Sequence, residues 1–114
     1  FKFDYNQISR VCFNLLKNSI ESLKEKAEKA PNFVKNINVE IVEHIDYISL
    51  IIIDTGIGFK NIKASELTKP YFTTKTDGTG LGLSIVSKII NDHNGEIIFN
   101  NLNDGAKVEI KFFK

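Results

Sequence analysis

Apolar residues in the first quarter of the chain recur at helical steps. Ile8, Val11, Cys12, Leu15, Leu16, Ser19 and Leu23 fall three or four residues apart, so one side of a helix through them would be apolar and the other polar. Asp4 followed by Gln7 has the spacing of a helix-capping pair. The pattern predicts one long amphipathic helix that ends near Ala30-Pro31-Asn32, because proline brings no N–H to continue it. From Asn36 to Val42 the period shortens to two, with Ile37, Val39 and Ile41 set against Asn38 and Glu40. Tyr47 to Ile53 is almost continuously apolar. A half-exposed strand followed by a central one is expected there.

Between Asp54 and Gly82 the apolar period dissolves into glycines, threonines and lysines. The stretch is too long for an ordinary connection, and long loops of this kind are functional or mobile. Helical spacing returns with Leu83, Ile85, Val86, Ile89 and Ile90 and stops at Asn94-Gly95, where Gly95 suits a left-handed cap. Glu96 to Phe99 and Ala106 to Phe113 read as two strands of a terminal hairpin joined through the turn-rich Asn101-Leu102-Asn103-Asp104-Gly105. Helix, two strands, loop, helix, two strands is the order of an α+β protein. The expectation is a two-layer α/β sandwich whose mixed, mostly antiparallel sheet is covered by helices on one face, the other face being wet or covered by something else. At 114 residues the chain closes one hydrophobic core, so residues 1–114 are expected to form a single domain.

Composition removes several classes of function. Apolar residues at 42% and charged residues at 25% describe a folded domain and not a disordered tail. With 15 basic and 14 acidic residues, nothing global draws the chain to nucleic acid or to an acidic membrane, so any anion it binds is held locally. The single cysteine, Cys12, excludes an internal disulfide and is expected as a buried thiol on the first helix. No apolar run reaches the ~20 residues that span a bilayer, which fits a cytoplasmic domain. The abrupt start at Phe1 reads as a boundary cut within a longer protein.

Three polar constellations carry the chemistry. Asn14 and Asn18 are four apart and share a helix face beside the apolar stripe, where an amide oxygen could join phosphate oxygens around a hard cation; the plain alternative is a solvated face. Asp54-Thr55-Gly56-Ile57-Gly58 begins where the apolar strand runs out. The acceptor-only carboxylate suits an exocyclic amine such as that of adenine, and the glycines let backbone approach a planar ligand; alternatively Asp54 caps its own turn. Gly78-Thr79-Gly80-Leu81-Gly82-Leu83-Ser84 opens directly into the second helix, whose unpaired N–H groups and dipole suit a polyphosphate. It is neither the Walker pattern nor the dinucleotide fingerprint. Together the three supply a cation site, a base site and a phosphate site, separated by a loop carrying Lys60, Lys63, Lys69 and Lys75.

On these residues the chain resembles the histidine-kinase branch of the Bergerat-fold ATPases, a superfamily that also holds type II topoisomerases, mismatch-repair ATPases and heat-shock chaperones. Asn14-Leu15-Leu16-Lys17-Asn18-Ser19 is similar to the asparagine box, Asp54 to Gly58 to the first glycine box, and Gly78 to Leu83 to the second. Pro70-Tyr71-Phe72-Thr73-Thr74-Lys75 resembles the phenylalanine box of a mobile ATP lid, and with Asp92-His93-Asn94-Gly95 it is most similar to nitrogen-regulation sensors of the NtrB and NtrY type. The resemblance implies ATP and Mg²⁺ as cofactors, Asn18 as metal ligand and Asp54 as acceptor from the adenine amine. Asn14, Gly56, Gly58, Phe72, Thr73, Thr74, Lys75, Gly78, Thr79, Gly80, Leu81, Gly82 and Leu83 would line the nucleotide, with Asn14 and Lys75 at its reactive end. The implied reaction is phosphoryl transfer from ATP to a histidine on a separate dimerisation domain, the response regulator being reached only indirectly. Neither nucleic acid nor membrane contact by this domain is implied, and the longer protein would be a membrane-anchored sensor. Where the ATPase branches carry a glutamate that activates water, this chain has Asn14, which cannot act as that base, so hydrolysis is expected to be poor. His44 and His93 lack the His-Glu-x-x-x-Pro surroundings of a phosphoacceptor.

The chain departs from the resemblance in three places. Glu21 and Ser22 stand where many members have a basic and then an aromatic residue, and Gly105-Ala106-Lys107-Val108 lacks a threonine that often assists adenine recognition. Phosphate neutralisation would then pass to Lys75 or another lid lysine, and nucleotide affinity would be modest. Glu21 and Ala106 also permit a regulatory pseudokinase that docks partners without turnover. Asp54-Thr55-Gly56 is in addition the aspartic-protease signature, but such proteases are almost wholly β and have no use for a long first helix or a second glycine loop.

Overall fold

The computed structural model describes residues 4–59 and 82–114. Helix α1 spans Tyr5–Lys29 and α2 spans Gly82–Asp92; the strands are β1 Ile37–Glu43, β2 Tyr47–Asp54, β3 Gly95–Leu102 and β4 Gly105–Phe113. Asp4 caps α1 as its spacing predicts, Oδ1 accepting the Gln7 N–H at 3.2 Å. The N–H of Asp4 donates to His93 Nε2 at 3.1 Å, so the end of α2 closes the start of α1. His93 Nδ1 lies 2.8 Å from the Ile89 carbonyl oxygen. With Nε2 accepting, Nδ1 carries the proton and donates. At its other end α1 stops at Ala30, whose N–H reaches the Lys26 carbonyl, immediately before Pro31.

The four described strands lie in the order β1-β2-β4-β3, and every pairing is antiparallel. Register puts Leu50 opposite Ile110 and Ile52 opposite Val108 on the face turned to the helices, with Ile97 beside Ile110 on the far side. There they meet Val11 and Leu15 of α1 and Val86, Ile89 and Ile90 of α2 in one core. The opposite face pairs Ser49 with Lys111, Ile51 with Glu109 and Ile53 with Lys107. Ser49 is nonetheless fully buried, its hydroxyl donating to Glu109 Oε2 at 2.9 Å. Long charged side chains cover their own sheet with their stems and keep their heads in water.

Three expectations are corrected in detail. The left-handed residue after α2 is Asn94, with φ 55°, and Gly95 already belongs to β3. Glycine is needed at 95 for another reason: a Cβ there would come 2.8 Å from the Lys111 carbonyl oxygen and 2.9 Å from Ile90 Cγ2, so it lets the end of α2 press against the sheet. β1 alternates in sequence but not in burial, for Val39 is 51% and Ile41 73% exposed. α1 packs over β2 and α2 over β3, so the apolar side of β1 lies at the rim of the helical layer. Cys12 is half-buried, packed against the core and not inside it, and burial pushes its thiol pKa up, away from the reactive thiolate.

Candidate functional site

The site grows from the end of β2. Asp54 is its last residue, 7% exposed, flanked in the sheet by Ile37 of β1 and Ala106 of β4. Its Oδ1 accepts the Gly56 N–H at 2.9 Å, so the self-capping turn considered from sequence does form. That bond does not exhaust the group, because a carboxylate offers about four lone-pair sites over two oxygens. A threonine at 106 would stand beside Asp54, and Ala106, 4% exposed, leaves only a methyl group there.

Beyond Asp54, Thr55, Ile57 and Phe59 are each tied to different neighbours. Thr55 donates its N–H to Asn36 O at 3.1 Å; its hydroxyl accepts the Asn36 N–H at 2.9 Å and donates to Val34 O at 2.7 Å. The Thr55 carbonyl accepts from Lys26 Nζ at 2.8 Å, and the same ammonium lies 4.6 Å from the centre of the Phe33 ring. Ile57 N–H donates to Ser22 Oγ at 2.9 Å, and Phe59 N–H donates to Asn101 Oδ1 at 2.7 Å. The Phe59 ring stands edge-on to Phe99 at 5.4 Å.

The glycines here do separate work. A Cβ on Gly56 would collide with the Ser22 hydroxyl and come 2.9 Å from the Ser22 backbone carbon, so the loop touches α1 only because residue 56 has no side chain. Gly58 has φ 73°, which L side chains rarely adopt.

The structure brings the asparagine face and the loop after Asp54 together through α1. Asn14 and Asn18 are half-buried beside the buried line Val11, Leu15 and Ser19, and Ser22, one turn beyond Asn18, is the residue that meets Ile57. One turn is about 5.4 Å, so the amide of Asn18 and the loop after Asp54 share a neighbourhood. Glu21 and Glu25 continue the Asn14–Asn18 face at helical spacing and make this flank acidic. Gly82 and Leu83 form the first turn of α2, and Leu83 packs against the core. α2 ends beside Asp4 and packs against α1. Phe72, Thr73, Thr74, Lys75, Gly78, Thr79, Gly80 and Leu81 lie outside the described residues, as do the lysines at 60, 63 and 69.

No group of three or more histidine, cysteine, aspartate or glutamate side chains is arranged to hold a metal among the described residues. A neutral amide oxygen at Asn18 fits a magnesium ion that keeps water and phosphate oxygens as its other ligands, and a dedicated protein cage is not what such an ion needs. Sequence reasoning missed Lys26, Asn36 and Asn101 as loop anchors and met Ser22 only as a missing aromatic. The one signal was the pair of glycines, which require close neighbours but do not name them.

The sequence profile of the histidine kinase-, DNA gyrase B- and HSP90-like ATPases matches residues 3–114. A putative NtrY-like sensor histidine kinase of Rickettsia felis is 39% identical over 113 residues, which cover 98% of this chain and 18% of that protein. Sporulation kinase B of Bacillus subtilis is 34% identical over 109 residues, 95% of this chain and 24% of that one. The chain therefore spans about a fifth of the length of these curated relatives. Among solved structures, the catalytic domain of the histidine kinase ThkA superposes with a TM-score of 0.80 at 31% identity, covering 98% of this chain and 69% of that one. Full-length ShkA in complex with AMPPNP shares the fold, with a TM-score of 0.74 at 19% identity over 94% of this chain and 21% of that one.

Proposed function

The chain belongs to the histidine kinase-, DNA gyrase B- and HSP90-like ATPase family, and from that membership we propose that it binds Mg-ATP and donates the γ-phosphate to a histidine on a separate dimerisation domain of a sensor kinase. The observation that carries this reading is the buried Asp54 at the end of β2, with its loop seated on the helix that bears Asn14 and Asn18. Asp54 accepts from the adenine amine, and the second glycine box, Gly78 to Leu83, wraps the phosphates at the start of α2. Asn18 ligates Mg²⁺, which supplies charge neutralisation at the phosphates, while Phe72 to Lys75 close over the nucleotide.

Transfer forms a bond from the acceptor imidazole nitrogen to phosphorus and breaks the bond from phosphorus to the leaving oxygen of ADP. The protein contributes position and charge more than proton transfer. Asn14 orients polar groups at the reactive end without a carboxylate to activate water, which keeps the phosphoryl group for the histidine. Lys75 offsets charge on the phosphates.

Asn18→Ala is expected to weaken nucleotide binding about tenfold in the presence of Mg²⁺ and much less in EDTA, since only one metal ligand is removed. Calorimetric titration with an ATP analogue under both conditions tests this; equal losses would take the metal away from Asn18.

The 114-residue chain alone is expected to bind ATP yet retain no label from γ-labelled ATP, because His93 is engaged by Asp4 and Ile89 and His44 lies at a turn stacked on Tyr47. Adding the matching histidine-bearing domain in trans restores transfer, limited by the low effective concentration of two unlinked pieces. Acid-labile label on the isolated chain would overturn the separation of donor and acceptor. Binding without transfer to the added domain would favour the pseudokinase reading.

A further inference from the structure

The loop after Asp54 is wedged between two elements distant in sequence. On one side Ser22 of α1 accepts from Ile57 across 35 positions; on the other Asn101 of β3 accepts from Phe59 across 42. Between these two bonds sits Gly58, where a Cβ would come 2.8 Å from Asn101 Oδ1 and 3.0 Å from the Gly105 carbonyl oxygen. Before them sits Gly56, where a Cβ would come 2.7 Å from Ser22 Cβ and 2.9 Å from the Ser22 backbone carbon. The loop is thus in contact with α1 on one side and with the terminal hairpin on the other, and neither contact leaves room for a side chain.

We propose that Ser22 and Asn101 are positioning residues that set the aim of the Asp54 carboxylate at the nucleotide base, and so the preference for adenine over guanine. The inference rests on the reading of Asp54 as the base acceptor. Gly56 N–H fixes Asp54 Oδ1, and Gly56 is itself fixed one residue before the Ile57 bond to Ser22. The Phe59 bond to Asn101 holds the far end of the same segment. Without either anchor the turn can rotate, and the carboxylate rotates with it. A carboxylate aimed at position 6 of a purine welcomes the amine of adenine and repels the carbonyl of guanine. Once its aim is loose it discriminates less. The serine belongs here for its size: the hydroxyl reaches Ile57, and a bulky residue at 22 would push Gly56 away from α1.

The test uses the 114-residue chain carrying Ser22→Ala, Ser22→Thr, Asn101→Ala or Asn101→Asp, of which Thr and Asp keep an oxygen acceptor. Amide exchange by NMR reads the two bonds without any nucleotide. Ile57 is expected to exchange at least about tenfold faster in Ser22→Ala, and Phe59 likewise in Asn101→Ala, with protection regained in the conservative variants. Titration with ATP and GTP analogues reads the aim. Both alanine variants are expected to lose affinity for ATP about tenfold and to lower the ATP-to-GTP affinity ratio, which general loosening of the fold would leave unchanged by weakening both alike. Unchanged exchange at Ile57 and Phe59, or an unchanged ratio, overturns the proposal. A wild-type chain that binds no nucleotide sinks the kinase reading and takes the base-aiming role with it, while the exchange data still show whether the two anchors exist.

Discussion

Asp54→Asn is expected to lower affinity for adenine nucleotides about a hundredfold while leaving the domain folded. The substituted amide keeps an oxygen where Asp54 Oδ1 accepts the Gly56 N–H, so the turn has what it needs to persist. The other arm then presents N–H donors to an exocyclic amine that is itself a donor. A hydrogen bond to a charged acceptor is lost and a donor at the base is left unpaired, together worth about 3 kcal/mol, or roughly two factors of ten. Calorimetric titration alongside a circular dichroism melt separates the two consequences. Undiminished affinity would remove Asp54 from the base site, and a collapse of the melt would mean that its charge serves the fold.

The largest effect on stability is expected at Ile110. It is fully buried in β4, and its rung of the sheet carries Leu50 on one side and Ile97 on the other. Ile110→Ala removes side-chain volume that neighbours on two strands and two helices cannot all move to refill, at a cost of about 3 kcal/mol. For a domain of this size that is a fall in midpoint of about 15 °C. Ile41→Ala deletes the same atoms from a residue 73% exposed, and it is expected to change stability by less than about 0.5 kcal/mol. Scanning calorimetry of the two variants side by side tests the assignment of the core; comparable losses would show that the rim of β1 is covered in solution.

The elements were legible because each carried its own period: the three-and-four spacing from Ile8 to Leu23, the apolar run from Tyr47 to Ile53, the turn residues before Gly105. Burial was less legible. Val39 and Ile41 alternate as well as any pair in the core, yet their fate depends on where the helical layer ends, which no local pattern encodes. Gly95 marks a special backbone position whose cause its residue type does not give: its neighbour Asn94 takes the left-handed turn, while Gly95 answers to Lys111 and Ile90. As candidates for the site, Asp54, Asn14 and Asn18 stood out by residue type and spacing. Ser22, Lys26 and Asn101 did not, because a residue that holds a loop through one backbone bond can be any small acceptor or long donor that reaches. Phe72 to Lys75 and Gly78 to Leu81 lie outside the described residues, and only Gly82 and Leu83 of the second glycine box are placed.

The sheet order gives the ribosome a part in the story. β4, the last of the four described strands in chain order, lies between β2 and β3, so until Gly105–Phe113 has been synthesised β2 and β3 have no shared neighbour and the rung of Leu50, Ile110 and Ile97 cannot form. Contacts between β2 and β4 join residues some sixty positions apart, as Ser49 and Glu109 are, and such pairings form late and slowly. The nascent chain would therefore wait with the apolar edge of β2 uncovered, the stage at which chains of this kind are most prone to aggregate.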